Sequence, residues 1–256
     1  MRSARYGLAA LLVLASAATA SARSLDAISQ RGAIAMCAHP NALPFASKKG
    51  DPPGFQVELG RALADRLGVS LLQHWVVNSF QYRRADCDIV LDAIANKGAL
   101  IEVGLRMSRP YYRSGVALAV PRESDLSSLD AIAPGRKVGV LVGSLASMAL
   151  GKRNIEVTPF VFEDEMLEAL KRREIAAAAV TPNAIGWYNM RNPDAAVRRI
   201  PAFDDDPDLS WNVAVGMLRP DEKLTERIDA ALGELLADGT VARIYARYGI
   251  DLQPPR

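Results

Sequence analysis

Few residues in this sequence are spaced for catalysis. The two histidines, His39 and His74, have no other ligand residues at metal-binding spacing around them. Ser144 follows Val142-Gly143, but the segment is not a G-x-S-x-G elbow, and no histidine is placed to activate the hydroxyl. The chain also lacks a P-loop and a G-x-G-x-x-G pattern. The sequence therefore predicts a binding protein rather than an enzyme, without a cofactor or a metal.

One acidic run imitates a calcium-binding loop. Asp204, Asp206 and Asp208 have the spacing that opens an EF-hand. Leu209 then occupies the position that requires glycine, and Val215 the position that requires the closing glutamate. We therefore expect a loop without calcium.

The first 22 residues have the pattern of a secretory signal peptide. Arg2 and Arg5 precede an apolar run, and small residues ending in Ala20-Ser21-Ala22 supply an A-x-A cleavage site. The apolar run is too short to be a transmembrane helix. We expect cleavage near Ala22 and a mature protein in the periplasm that does not insert into the membrane.

Charge balance limits the class of partner. Without Arg2 and Arg5, 29 of the 31 basic side chains remain, against 29 acidic ones. A formally neutral protein is not attracted to nucleic acid or to an anionic membrane. We therefore expect no nucleic-acid partner and no anionic membrane partner. We also expect the protein to be a monomer.

The two cysteines, Cys37 and Cys87, could form a disulfide, because an exported chain meets an oxidising compartment. Cys37 lies late on its predicted strand, however, whereas Cys87 precedes its own. In parallel strands this register would separate the two sulfur atoms. The sequence is therefore compatible with a disulfide between Cys37 and Cys87 and with two free buried thiols.

Apolar runs and punctuation predict local structure. The run from Ala33 to Cys37 suits a buried strand, and Phe55 to Leu67 an amphipathic helix that Gly68 ends. Strands at 69–77 and 88–94 follow, joined by only about nine residues, where a crossover usually needs a dozen or more. Another helix begins with Glu163, Asp164 and Glu165, which we interpret as a solvated helix end that matches the helix dipole.

Three motifs carry a resemblance to a known family. CAHPNALPFASKKGDPPGFQVEL, CDIVLDAI and SRPYYRSGVALAV resemble signatures of the family 3 periplasmic solute-binding proteins, and the similarity extends from about Ser24 to the end. The Cys37–Ser47 segment, Cys87-Asp88 and the Pro110–Ser114 segment are also similar to a narrower branch. That branch comprises the MxaJ/XoxJ-type accessory proteins of PQQ-dependent methanol dehydrogenases.

The resemblance implies an α/β fold of two lobes, the type II periplasmic-binding fold, with mixed, mostly parallel sheets and a hinged cleft. It implies that lobe 1 comprises residues 23–120 and 205–256, and that lobe 2 is an insertion of residues 121–204. The Ser/Asp-rich passage after Pro121 is then the first crossing between the lobes. A cleft of this kind closes on what it binds.

In amino-acid-binding members, the resemblance implies an arginine for the ligand carboxylate, a serine or threonine donor, and acidic residues for the amine. Ser144, at a helix N-terminus, fits the donor. The arginine position holds Ile101, and the acidic positions fall near His39, Ala176 and Thr181. Because a bidentate arginine–carboxylate pair is the main polar contact in such sites, its loss weakens an amino-acid interpretation.

Strand ends and matching positions define the remaining candidates for the cleft. Tyr111 and Tyr112 would face opposite sides of an extended strand, so at most one of them should line the site. Aromatic side chains are more often packing than ligand contacts. The full set of cleft candidates is His39, Asn41, Phe45, Trp75, Ala93, Tyr111, Tyr112, Gly143, Ser144, Thr181, Asn183, Trp187 and Trp211.

The leading hypothesis is a non-enzymatic periplasmic protein that assists the maturation or activation of a PQQ-dependent methanol dehydrogenase. The alternative is the substrate-binding receptor of an ABC transporter, working with its permease on a small solute such as an amino acid. A dehydratase-like enzyme also exists within this fold, but no acid/base pair that would carry its chemistry is evident in the sequence.

Overall fold

The computed structural model describes residues 24–95 and 104–256, which form two β-sheets with helices packed on them. None of the helices in these ranges is long and apolar enough to cross a membrane. The helices are α1 (Leu25–Arg31), α2 (Phe55–Leu67), α3 (Leu145–Lys152), α4 (Glu163–Lys171), α5 (Pro182–Arg191), α6 (Glu222–Ala237) and α7 (Thr240–Ala246). The strands are β1 (Ala33–Ala38), β2 (Asn41–Ala42), β3 (Ala46–Ser47), β4 (Ser70–Trp75), β5 (Ile89–Ile94), β6 (Leu105–Met107), β7 (Tyr112–Gly115), β8 (Ala117–Pro121), β9 (Val138–Leu141), β10 (Val157–Phe160), β11 (Ala177–Val180), β12 (Val197–Ile200) and β13 (Ser210–Leu218).

The sheets define two lobes. The sheet of lobe 1 has the order β4-β1-β5-β13-β6, with β7 also paired to β13. The sheet of lobe 2 has the order β10-β9-β11-β8-β12. In each sheet the first three strands are parallel, and the strands next to the crossing are antiparallel to them. This is the expected two-lobed α/β fold with mixed sheets.

Local sequence determines the first unit of lobe 1. Helix α2 begins and ends as predicted, because Phe55, Leu59 and Leu63 bury one face and Gly68 adopts the left-handed conformation at φ 73°. Strand β1 is buried along its whole length, as expected for a strand in a parallel arrangement.

The chain changes lobes at Val116. Strand β7 pairs with β13 in lobe 1, whereas β8, which starts one residue after Val116, pairs in lobe 2. The return crossing lies alongside, since the Val116 amide donates to the Leu209 carbonyl over 2.8 Å and Ser210 pairs with Gly115. The lobe boundary expected between residues 120 and 121, with the first crossing after Pro121, therefore lies a few residues C-terminal to the observed crossing at Val116. The apolar run continues from β7 into β8 although the two strands belong to different sheets, so hydrophobicity alone does not mark the crossing.

This hinge brings the carboxyl ends of the parallel strands of both sheets together. In lobe 2, the last residue of β11, Val180, pairs with Ala117 at the start of β8. In lobe 1, the last residue of β5, Ile94, pairs with Val213 near the start of β13. Both strand ends therefore lie beside the crossing. Open α/β sheets bind ligands at such edges.

Cys37 and Cys87 are joined by a disulfide, with their Cα atoms 5.5 Å apart. Strand register does not separate the two sulfur atoms, contrary to the expectation from sequence. Cys37 does pair with Val90, but the preceding loop folds back over the sheet. The His74 ring nitrogen Nδ1 donates to the Ala85 carbonyl, and Asp86 adopts a positive φ of 57°. The short connection between β4 and β5 contains only a 3₁₀ turn.

The lobes also touch away from the hinge. Gly186 of α5 and Gly249, which follows α7, are so close that a Cβ atom on either would overlap the backbone of the other. The Trp187 and Tyr248 rings lie beside this contact, 5.7 Å apart. Only glycine at both positions permits this backbone approach.

We expect Gly186→Ala to lower the free energy of unfolding by about 1–3 kcal/mol, because the methyl group would overlap backbone of the other lobe. Gly151→Ala adds the same methyl to a helix of the same lobe where no atom lies within 4 Å. That control should raise the free energy of unfolding by about 0.5–1 kcal/mol. Urea denaturation measures both, and equal effects would show that the contact does not persist in solution.

Candidate functional site

The most unusual polar group near the facing strand ends is the Asp92 carboxylate. Asp92 lies in β5 with a positive φ of 56°, opposite an irregularity in the register of β13 between Ala214 and Gly216. Bulges of this kind redirect side chains. Leu91 and the Asp92 carboxylate consequently both contact the aromatic core of lobe 1, although they are consecutive in a strand.

Neutral donors from three elements satisfy this carboxylate. The Tyr111 hydroxyl donates to Oδ1 over 2.5 Å, and the Tyr245 hydroxyl donates to the same oxygen over 3.2 Å. The Gln56 side-chain amide donates to Oδ2 over 2.9 Å. Within the described ranges no basic side chain forms an ion pair with Asp92. Its negative charge is hydrogen-bonded but not neutralised.

Burial has a clear electrostatic consequence here. Removal of water raises the pKa of Asp92, and the hydrogen bonds from Tyr111, Gln56, Tyr245 and Tyr112 oppose that rise. Burial also raises the pKa of each of these three tyrosines well above 10, and the adjacent Asp92 charge adds to this. The tyrosines therefore remain hydrogen-bond donors at any physiological pH.

Tyr111 and Tyr112 lie in the same cluster, so the expectation that they would face opposite sides was wrong. Their ring centroids are 5.2 Å apart, and Tyr112 lies 5.3 Å from Tyr245. The alternation rule fails because Tyr111 precedes β7 and only Tyr112 belongs to it. Both are buried.

The Asn183 side chain connects this cluster with lobe 2 through a hydrogen bond. Asn183 is 3% exposed, and its amide nitrogen donates to the Tyr112 hydroxyl over 3.1 Å. Asn183 lies in the first turn of α5, which Thr181 caps through a 3.2 Å bond from the Ala184 amide. Pro182 at the first helical position supports this start.

Thr181 holds a second carboxylate. Its backbone amide donates to Glu163 Oε1 over 2.5 Å, and its hydroxyl donates to Oε2 over 2.9 Å. Burial raises the pKa of Glu163, the two bonds from Thr181 lower it, and the charge of Asp164 raises it. Glu163 is half-buried at the carboxyl edge of lobe 2, whereas Asp164 and Glu165 are exposed. The interpretation as a solvated helix end therefore holds for Asp164 and Glu165 and is wrong for Glu163.

The other predicted polar candidates lie at strand ends but use their side chains locally. Ser144 caps α3 by accepting from the Ser147 amide over 3.2 Å, next to exposed Gly143 at φ 69°. His39 follows β1, and its Nδ1 accepts from the exposed Asn41 amide over 3.1 Å.

The predicted aromatic candidates outside the tyrosine pair pack against the core of lobe 1 and are partly buried. Ala93 lies on the opposite face of β5, against the cluster that contains the disulfide. Ile101, where the resemblance implies an arginine, falls outside the described residues. The packed aromatic candidates are Phe45, Trp75, Trp187 and Trp211.

Sequence reasoning missed Asp92, Gln56, Tyr245 and Glu163. One signal was available, since Asp92 is an acidic residue inside the apolar strand motif CDIVLDAI. A charge within an otherwise buried strand requires partners. Among the described residues, no group of three or more His, Cys, Asp or Glu side chains could hold a metal ion.

Comparison with known proteins identifies the family. The sequence matches the bacterial extracellular solute-binding proteins, family 3, over residues 34–251. The chain belongs to this family.

Individual relatives are distant. The histidine-binding periplasmic protein of Salmonella typhimurium is 24% identical over 258 residues, covering 95% of this chain and 96% of that protein. An ancestral cationic amino acid solute-binding protein superposes with a TM-score of 0.74 at 20% identity, covering 88% of this chain and 99% of the other. MxaJ from Methlophaga aminisulfidivorans superposes with a TM-score of 0.67 at 18% identity, covering 86% and 99%. These structural likenesses establish the fold.

The raised pKa of Asp92 predicts a pH dependence of stability. Because the folded state holds the proton more tightly than the unfolded chain, ionisation of Asp92 costs stability as pH rises from about 3.9 through the raised pKa. Asp92→Asn should therefore gain stability relative to the wild type over that interval. Denaturant unfolding at a series of pH values measures this difference.

Glu174→Gln is the control for this pH series. The hydrogen bonds from Arg172 lower the pKa of Glu174. Ionisation of Glu174 therefore stabilises the folded wild-type protein as pH rises through the lowered pKa toward the value of the unfolded chain. The glutamine variant should then lose stability relative to the wild type. The same sign for Asp92→Asn and Glu174→Gln would contradict the environment assigned to Asp92.

Two tyrosine substitutions test the hydroxyl partners. Tyr111→Phe removes a bond to a carboxylate and should cost about 1.5–3 kcal/mol of stability. Tyr188→Phe should be neutral or stabilising, because the buried Tyr188 hydroxyl has no partner among the described residues. Thermal and urea unfolding measure both, and a loss of similar size for the two variants would overturn the network.

Proposed function

We propose that this protein is the periplasmic solute receptor of an ABC-type uptake system and binds a small solute such as an amino acid. The observation that carries the proposal is the pair of crossings at Val116 and Leu209. The two crossings lie side by side and connect the two lobes, whose sheet edges face each other. Such a connection allows the lobes to close around a ligand.

The polar groups at these edges support the proposal. Lobe 1 contributes the Asp92 cluster, and lobe 2 contributes Thr181 and Glu163. A binding cleft needs a few well-placed polar groups in mostly apolar walls. The relative from Salmonella typhimurium, matched over nearly its full length, is by name a histidine-binding periplasmic protein.

Thermal unfolding of the mature protein with amino acids, amines, organic acids and alcohols tests the receptor function. At a hundredfold excess over its dissociation constant, a ligand stabilises by about 2.7 kcal/mol. For this chain length that corresponds to a rise in Tm of about 5–10 °C. We expect such a rise with one solute class. No rise with any solute would contradict the receptor function.

An accessory role for a PQQ-dependent methanol dehydrogenase is the second candidate. The disulfide joins the two cysteine-bearing motifs, at Cys37 and Cys87, whose resemblance to that branch motivated the hypothesis. The likeness to MxaJ is one of fold.

Copurification separates the two candidates. A tagged mature protein, expressed with a PQQ-dependent methanol dehydrogenase, should retain the enzyme on an affinity column if the accessory role holds. The same protein should then show no solute-dependent rise in Tm. Solute binding without retention of the dehydrogenase would exclude the accessory role.

A further inference from the structure

Helix α5 belongs to lobe 2 but packs on both lobes. Its buried side chains Ala184, Ile185 and Tyr188 belong to the core of lobe 2. A second set of positions recurs at the i, i+3, i+4 and i+7 spacing that defines one face of a helix. These positions are Asn183, Gly186, Trp187 and Met190. All four lie against lobe 1, so the helix is held between the two lobes.

The first contact on the lobe 1 face of α5 is a buried hydrogen bond. The Asn183 amide nitrogen donates to the Tyr112 hydroxyl over 3.1 Å, and both residues are buried. Buried polar groups of this kind are stable only when they are paired. The bond therefore satisfies one group from each lobe, and it is lost when α5 moves away from lobe 1.

Trp187 adds an apolar contact one turn later. Its side chain packs against the core of lobe 1, and its ring centroid lies 5.7 Å from that of Tyr248. Tyr248 is itself fixed within lobe 1, because its hydroxyl donates to Glu58 Oε1 over 2.6 Å and accepts from the Gly54 amide over 3.0 Å. Trp187 thus packs on a surface of lobe 1 that its own hydrogen bonds hold in place.

The segment after Gly249 is bound to the strands that lead through the crossings. The Gln253 carbonyl accepts from the Arg113 amide in β7 over 2.9 Å. The backbone of Arg256 exchanges two hydrogen bonds with the Asn212 side chain in β13, over 3.0 and 2.9 Å. Gly249 therefore lies between two anchored segments of lobe 1, and the backbone that contacts Gly186 is held on both sides.

We propose that α5 is a latch that holds the two lobes together in the ligand-free protein. The cleft then opens only when α5 separates from lobe 1, a step that breaks the bond between Asn183 and Tyr112 and exposes apolar surface of Trp187 to water. Lobes joined by the two strand crossings alone would meet no such resistance to hinge rotation. The latch consists of contacts within the protein, so it operates for either candidate function and does not depend on the solute.

Small-angle X-ray scattering of the mature, ligand-free protein tests the latch. We expect the wild-type profile to match the arrangement of the lobes in the structure. Gly186→Ala places a methyl group against the backbone of Gly249 and should increase the radius of gyration. Gly151→Ala adds the same methyl group in open space and should scatter like the wild type. A wild-type profile that requires separated lobes would overturn the inference.

Fluorine NMR of the protein labelled with 5-fluorotryptophan reports on the contact itself, and Trp187→Phe identifies the Trp187 signal. Asn183→Ala should move that signal toward its position in the urea-unfolded protein, because Trp187 then leaves lobe 1 more often. The control is Asn192→Ala, which removes an amide that donates to the Tyr188 carbonyl of the same helix, and it should leave the signal in place. An unchanged Trp187 signal in Asn183→Ala would overturn the inference, and this result decides the test if Gly186→Ala does not fold.

Discussion

The half-buried carboxylate of Asp92 is the constraint on which the site depends. A carboxylate in an aromatic environment must be hydrogen-bonded, and its donors here come from α2, from the residue before β7 and from α7. Those donors fix the mutual positions of three segments that are far apart in sequence. The positive φ of Asp92 is local strain that this surrounding structure maintains.

The same cluster links the lobes. Tyr112 is in contact with the cluster and accepts from Asn183, so the start of α5 is tied to lobe 1 through one buried hydrogen bond. The backbone contact of Gly186 and Gly249 brings a later turn of α5 against the end of lobe 1. Two strand crossings and one helix therefore define how the lobes meet. A group bound between them would act on α5 and on the Asp92 cluster together.

Local patterns allowed part of this structure to be predicted from sequence. Helix α2, its end at Gly68 and the buried strand β1 follow from periodicity and glycine conformation. Three features could not be predicted from these patterns: the position of the lobe crossing, the disulfide between Cys37 and Cys87, and the placement of Tyr111 and Tyr112 in one cluster. Each depends on a partner strand or a returning loop that periodicity does not encode. Asp92 and Glu163 were missed for the same reason, because their donors belong to other elements.

The most direct test of this account is the pKa of Asp92, measured by carbon-13 NMR of its side-chain carboxyl in the ligand-free protein. Burial without a cationic partner should place that pKa above the value of about 3.9 for an exposed aspartate. A pKa below the exposed value would show that hydrogen bonds or a positive charge of the protein outweigh the effect of burial, and would contradict the account.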